Sequence, residues 1–106
     1  MNPKRFEVYL ASLDPTVGAE IRKTRPCVVI SPDEANRHLQ TVLVAPLTTT
    51  RRNYPSRVAL RFQGRDGEAA LDQMRAVDAG RLAKRLGAIS SEAARRITAT
   101  LLEYFA

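Results

Sequence analysis

Lys23-Thr24-Arg25-Pro26-Cys27-Val28-Val29-Ile30-Ser31-Pro32 is the stretch on which the reading of this chain turns. Residues 26–30 are dominated by β-branched side chains and closed by Ser31-Pro32, so they read as a buried strand. Pro32 fits the first position of a helix and Ser31 stands where a cap belongs, which gives a short helical turn over 32–38. Residues 41–47 form a further strand, closed by the polar stretch 48–53 and then Tyr54-Pro55. Before the opening stretch, residues 6–13 alternate, with Phe6, Val8, Leu10 and the smaller Ser12 on one face. Asp14-Pro15 ends that strand as a turn pair. With residues 16–23, which contain Gly18 and show no steady period, that pair makes a loop of about ten residues, long enough to expect a function.

Further along, residues 57–62 alternate with period two, which sends Val58, Leu60 and Phe62 inward and the arginines outward. Gly64-Arg65-Asp66-Gly67 is turn chemistry, and residues 68–74 return as a strand. Residues 81–86 read as a short helical turn before Gly87. Ser90 caps a last helix in which Ala94, Ile97, Leu101 and Tyr104 or Phe105 share a face. There are no repeats and no linker, so residues 1–106 read as one domain. The expected fold is mainly β with α: a small barrel with a C-terminal helix packed against it.

The net charge of +6 points to a polyanionic partner, nucleic acid before membrane. Lysine occurs only at Lys4, Lys23 and Lys84, and the other cations are arginines, which make forked hydrogen bonds to phosphate and stack on bases. The plainer reading is that these arginines only solvate the surface. No apolar run reaches the length of a membrane span, and the charged N-terminal residues do not resemble a secretion signal. A cytoplasmic protein is expected. The lone cysteine, Cys27, lies in an apolar run and reads as a packed small hydrophobe.

A nuclease must activate a nucleophile, stabilise a phosphorane and protonate a leaving oxygen. The carboxylates are scattered without metal-ligand spacing, and His38 is the single histidine, so neither a metal centre nor a two-histidine acid–base pair is expected. Two polar groups are better placed: Arg25 just before one buried strand and Thr48 just after another. If those strands are neighbours, a guanidinium and a hydroxyl meet at one rim. Such a pair suits RNA, whose own 2′-OH can attack the adjacent phosphorus, with Arg25 binding the non-bridging oxygens as their charge grows. Taken alone, an arginine before a strand and a threonine at a strand end are more often surface and turn.

At these residues the chain resembles the MazF/PemK family of toxin ribonucleases, nearly end to end. Leu13-Asp14-Pro15-Thr16-Val17-Gly18-Ala19-Glu20 is similar to its first loop, residues 23–31 to its T-R-P-x-V-V-x-S strand, and Val44-Ala45-Pro46-Leu47-Thr48-Thr49 to its V-x-P-x-T-T segment. Tyr54-Pro55, Arg65-Asp66-Gly67 and residues 71–78 resemble later signatures in the same order. The resemblance implies an SH3-like barrel homodimer, the toxin of a type II toxin–antitoxin system, that cuts single-stranded mRNA at short sequences without metal or cofactor. It implies 2′,3′-cyclic phosphate and 5′-OH ends, and a cognate antitoxin whose disordered acidic tail competes for the RNA groove.

Residue by residue, Arg25 and Thr48 carry over as catalytic. Substrate contacts are expected at Glu20, Lys23, Thr24, Thr49, Tyr54, Asp72 and Gln73, with Tyr54 the best placed for base stacking. Glu20 and Asp72 each keep a plainer reading, as a solvated loop charge and as a turn-fixing acceptor. The PemK branch has an arginine two positions before this aspartate and can have a histidine in the first loop; Ala70 and Ala19 stand there here, which favours the Arg25/Thr48 version. Two rivals remain at this level: a gyrase poison of the CcdB kind on the same barrel, and an RNA-binding barrel without catalysis.

Overall fold

In the structure, a computed structural model that describes residues 2–13, 18 and 23–106, the opening stretch becomes an inner strand of a bent sheet. The elements in chain order are β1 (Glu7–Ser12), β2 (Thr24–Val29), α1 (Asp33–His38), β3 (Thr41–Thr48), β4 (Arg57–Phe62), β5 (Arg65–Ala70), β6 (Arg75–Asp78), β7 (Leu82–Ala88) and α2 (Ser91–Tyr104). The strands join in the order β4-β5-β3-β2-β1-β7, and β6 also pairs with β3. The turn expected at Asp14-Pro15 and most of the loop expected over 16–23 lie outside the described residues.

β3 is the hub. One edge pairs with β2, whereas the other meets β6 over Thr41–Val44 and then β5 at Leu47 and Thr48. Pro46 sits between those two partners, where a residue with no N–H can be placed without breaking a ladder. The two ends of the sheet curl toward each other. Gln63 Nε2 donates to the Leu86 carbonyl at 3.0 Å, and a Cβ on Gly87 would touch the Phe62 ring at 3.5 Å. The result is a half-barrel with one helix across it.

Two apolar clusters hold the sheet from opposite sides. Val8, Val28, Ile30, Ala45, Leu60 and Leu71 pack with Ala93 and Ile97 of α2, and Tyr9, Ala11, Leu13, Cys27, Val29 and Val77 form the second cluster. β1 is therefore buried on both faces, not only on the Val8 face that its alternation suggested, because Val8 packs into the first cluster while Tyr9 and Ala11, on the opposite face, pack into the second. Cys27 is fully buried, and burial pushes its thiol up to about 12, in keeping with a packing role.

Several local expectations are corrected. Residues 82–88 are a strand, because pairing with β1 overrides the helical preference of Leu, Ala, Lys and Arg; two register shifts mark the irregular fit. The β4–β5 turn is the pair Gln63-Gly64, with φ of +50° and +77°, so Arg65, Asp66 and Gly67 already belong to β5. Residues 68–74 are not one strand: β5 ends at Ala70, and a 3₁₀ turn, Leu71–Gln73, leads into β6. Ser31 does not cap α1; its hydroxyl donates to Asn36 Oδ1 at 2.6 Å and accepts from the Leu43 N–H at 3.0 Å, tying α1 to β3. Ser90 does cap α2, accepting from the Ala93 N–H at 3.1 Å. The apolar face of α2 stops at Leu101, and Tyr104 and Phe105 stay exposed.

Candidate active site

β2 and β3 run antiparallel and their pairing reaches Cys27 opposite Pro46; Arg25 stands two residues before Cys27 and Thr48 two residues after Pro46, so both lie just past that end of the ladder. On the other edge of β3, Thr48 pairs with Glu68 of β5. A guanidinium near the start of β2, a hydroxyl at the end of β3 and a carboxylate within β5 thus come from three neighbouring strands. Arg25, Thr48, Thr49 and Glu68 all line one cleft of about 410 Å³, together with the apolar side chains of Leu60 and Phe62. Apolar walls beside a guanidinium suit a nucleotide, whose base is flat and whose phosphate is charged.

Thr48 is held by its own surroundings. Its Oγ1 accepts the Thr50 N–H at 3.1 Å, and its side chain is almost buried. β5 approaches closely enough that a Cβ on Gly67 would stand 2.4 Å from the Thr48 carbonyl oxygen. Only glycine fits there, a physical reason for a Gly in the Arg65-Asp66-Gly67 stretch.

The other expected contacts are dispersed. Thr24 begins β2 opposite Ser12, and Lys23 precedes it at φ +71°, its carbonyl accepting the Leu13 N–H; neither lines the cleft. Gln73 and Asp72 lie on the 3₁₀ turn, also off the cleft lining. Asp72 accepts from Arg57 Nε at 2.6 Å, Arg57 Nη2 at 3.2 Å and the Ser56 hydroxyl at 3.0 Å. Tyr54 is half exposed, with the Arg57 guanidinium 5.3 Å from its ring centroid. Glu20 lies outside the described residues. His38 is exposed and meets Glu34 at 3.1 Å.

The residue that sequence reasoning missed is Glu68. Its side chain is 1% exposed, yet it accepts the backbone N–H groups of Arg52 at 2.9 Å and Asn53 at 3.0 Å and pairs with Arg57 at 3.3 Å. Burial works against ionisation of Glu68, but those hydrogen bonds outweigh it and hold the carboxyl below its ordinary value. Arg57, expected to point outward on its strand, is instead 6% exposed between Glu68 and Asp72. The one signal in the sequence is a charge set inside the small, apolar run Gly67-Glu68-Ala69-Ala70-Leu71.

Fold and cleft together define a class: small basic half-barrels with a terminal helix laid across the sheet and an arginine-bearing cleft at the rim. A family model described as PemK-like, MazF-like toxin of type II toxin–antitoxin system matches residues 4–105, and the chain belongs to that family. The endoribonuclease toxin MazF of Escherichia coli K12 is 37% identical over 75 residues, 71% of this chain and 68% of that protein. Among solved structures, MazF from Deinococcus radiodurans superposes with a TM-score of 0.86 at 23% identity, over 99% of this chain and 97% of that one. An endoribonuclease from a mycobacterial species, solved in complex with its cognate antitoxin, gives 0.82 at 26% identity, over 97% and 94%.

Proposed function

We propose that this chain is the toxin of a type II pair and a sequence-selective endoribonuclease that cuts single-stranded mRNA with Arg25 and Thr48. The observation that carries this is the sharing of one cleft by Arg25 and Thr48 within a fold whose relatives are named endoribonucleases. The substrate's 2′-OH attacks the adjacent phosphorus: an O2′–P bond forms, the P–O5′ bond breaks, and the 2′ proton is lost as the 5′ oxygen gains one. The products are a 2′,3′-cyclic phosphate and a 5′-OH. Arg25 donates to the non-bridging oxygens, where charge accumulates in the transition state. Thr48 Oγ1 accepts from the Thr50 N–H, which leaves its own proton to donate to the phosphate.

The acting form is a cytoplasmic homodimer, and its inhibitor is an antitoxin whose acidic tail takes the place of RNA phosphates on a surface of charge +6. The structure of the mycobacterial relative with its antitoxin supports that partner, and the relatives' names support an RNA target over gyrase. Among the described residues, no helix is long and apolar enough to cross a membrane. The test is a defined RNA incubated with the pure protein in chelator, with the fragment ends identified. Cyclic-phosphate and 5′-OH ends are expected. An intact transcript ends the proposal, and RNA binding without cuts makes the chain a binding module.

A further inference from the structure

Residues 49–53 leave the rim immediately after Thr48 and return toward β4. Two sets of contacts fix this excursion: Thr50 donates to Thr48 Oγ1, and Arg52 and Asn53 donate their N–H groups to the two oxygens of Glu68. Arg51 Nε adds an ion pair to Glu68 at 3.5 Å, and Asn53 accepts the bend at φ +59°. Glu68 lies opposite Thr48 in the β3–β5 ladder, so a single residue joins the two: its backbone position faces the strand end that carries Thr48, and its buried carboxylate holds the far end of the loop.

We infer that Glu68 is a positioning residue for cleavage, which holds residues 49–53 folded back over β5 and thereby sets the Thr48 hydroxyl and Thr49 at the cleft. This rests on the ribonuclease reading. Although Glu68 lines the cleft, it is not suited to take the 2′ proton. Both oxygens are committed to N–H donors, and Arg57 stands against Oε1. Its lowered pKa makes it a weak base as well. Arg57 in turn is fixed by Asp72, so the carboxylate–guanidinium–carboxylate chain carries the constraint from the 3₁₀ turn to the loop.

The test compares the full-length wild-type protein with Glu68→Gln, which keeps the shape but turns one acceptor into a donor. Amide exchange at Arg52 and Asn53 should rise roughly tenfold in the folded variant, because the carboxylate is what protects them. Turnover of a defined RNA should fall on the order of tenfold, since misplacing a group beside the reacting phosphate costs rate. KM should stay within about twofold, the pattern of a contact felt in the transition state. A variant with fast amides and wild-type kcat overturns the inference and leaves the ribonuclease reading intact. Loss of the acidic limb of the kcat–pH profile also overturns it, by making Glu68 the proton acceptor. A wild-type protein that cuts no RNA removes both. Should Glu68→Gln not fold, Arg57→Met with Glu68→Leu and Asp72→Asn replaces the whole chain of charges and leaves none of the three unpaired. Turnover reduced to the same degree in that variant supports positioning, and wild-type turnover overturns it.

Discussion

Two arginines on neighbouring parts of the rim show how differently one side chain is used. Arg25, near the start of β2, lines the cleft beside Thr48 and Thr49. Arg57, at the start of β4, is turned inward, with Glu68 on one side and Asp72 on the other. A guanidinium flanked by two carboxylates has its charge answered within the fold and acts as a strut. One that lines the cleft is within reach of a phosphate there. Residue type therefore did not decide the roles; the neighbouring strands did, through the groups they bring to each guanidinium.

The largest way to break this contrast is to remove the strut. Arg57→Leu leaves Glu68 buried without its guanidinium and should cost about 3 kcal/mol of stability, measured by denaturant unfolding. A cost near zero would mean that the backbone N–H groups of Arg52 and Asn53, with the Arg51 guanidinium, satisfy Glu68 without Arg57. Arg25→Ala should do the opposite. Cleavage should fall on the order of 10²–10³-fold through loss of a preorganised donor to the phosphorane. Unfolding free energy should change by no more than about 1 kcal/mol. Near-normal cutting by that variant would return Arg25 to the surface.

Gly67→Ala sharpens the comparison from the strand between the two arginines. The added methyl would lie 2.4 Å from the Thr48 carbonyl oxygen, so β5 and β3 must part at the rim. A stability loss of about 1–3 kcal/mol is expected, the range for forcing extra volume into a tight contact. Turnover should also fall. If the rate is unchanged while stability drops, the spacing of β3 and β5 does not set the Thr48 geometry.

The smallest effect is on pH dependence. Glu68 and Asp72 are both held below their ordinary values of 4.5 and 3.8, burial opposing ionisation but the hydrogen bonds from Arg52, Asn53, Arg57 and Ser56 outweighing it. The native state therefore binds protons less readily than the unfolded chain. The stability these groups contribute is complete above those ordinary values and is lost as pH falls through the lower native ones. Thermal unfolding followed downward from about pH 5 should show a steeper fall in Tm for wild type than for Glu68→Gln, which has one linked proton fewer. Parallel curves would show that Glu68 is not part of the acid-sensitive set.

Much of the rim could be read from the sequence, because its signals are local. A β-branched run bounded by prolines makes β2, polar residues at strand ends mark Arg25 and Thr48, and a serine before an amphipathic segment makes the capped α2. The Glu68–Arg57–Asp72 chain was not legible. Its members are eleven and fifteen positions apart, and alternation along β4 records only which face is apolar. The same limit hid β7, whose residues favour a helix in isolation and become a strand only against β1.

The amino-acid order by itself determined the family's strand signatures, the basic character and the two polar groups at strand ends, since each depends on a few consecutive residues. The tertiary structure alone decided which arginine is enclosed by carboxylates and which opens onto the cleft. The reason is that the free energy of a buried charge depends on partners brought from distant strands, and no local pattern records them.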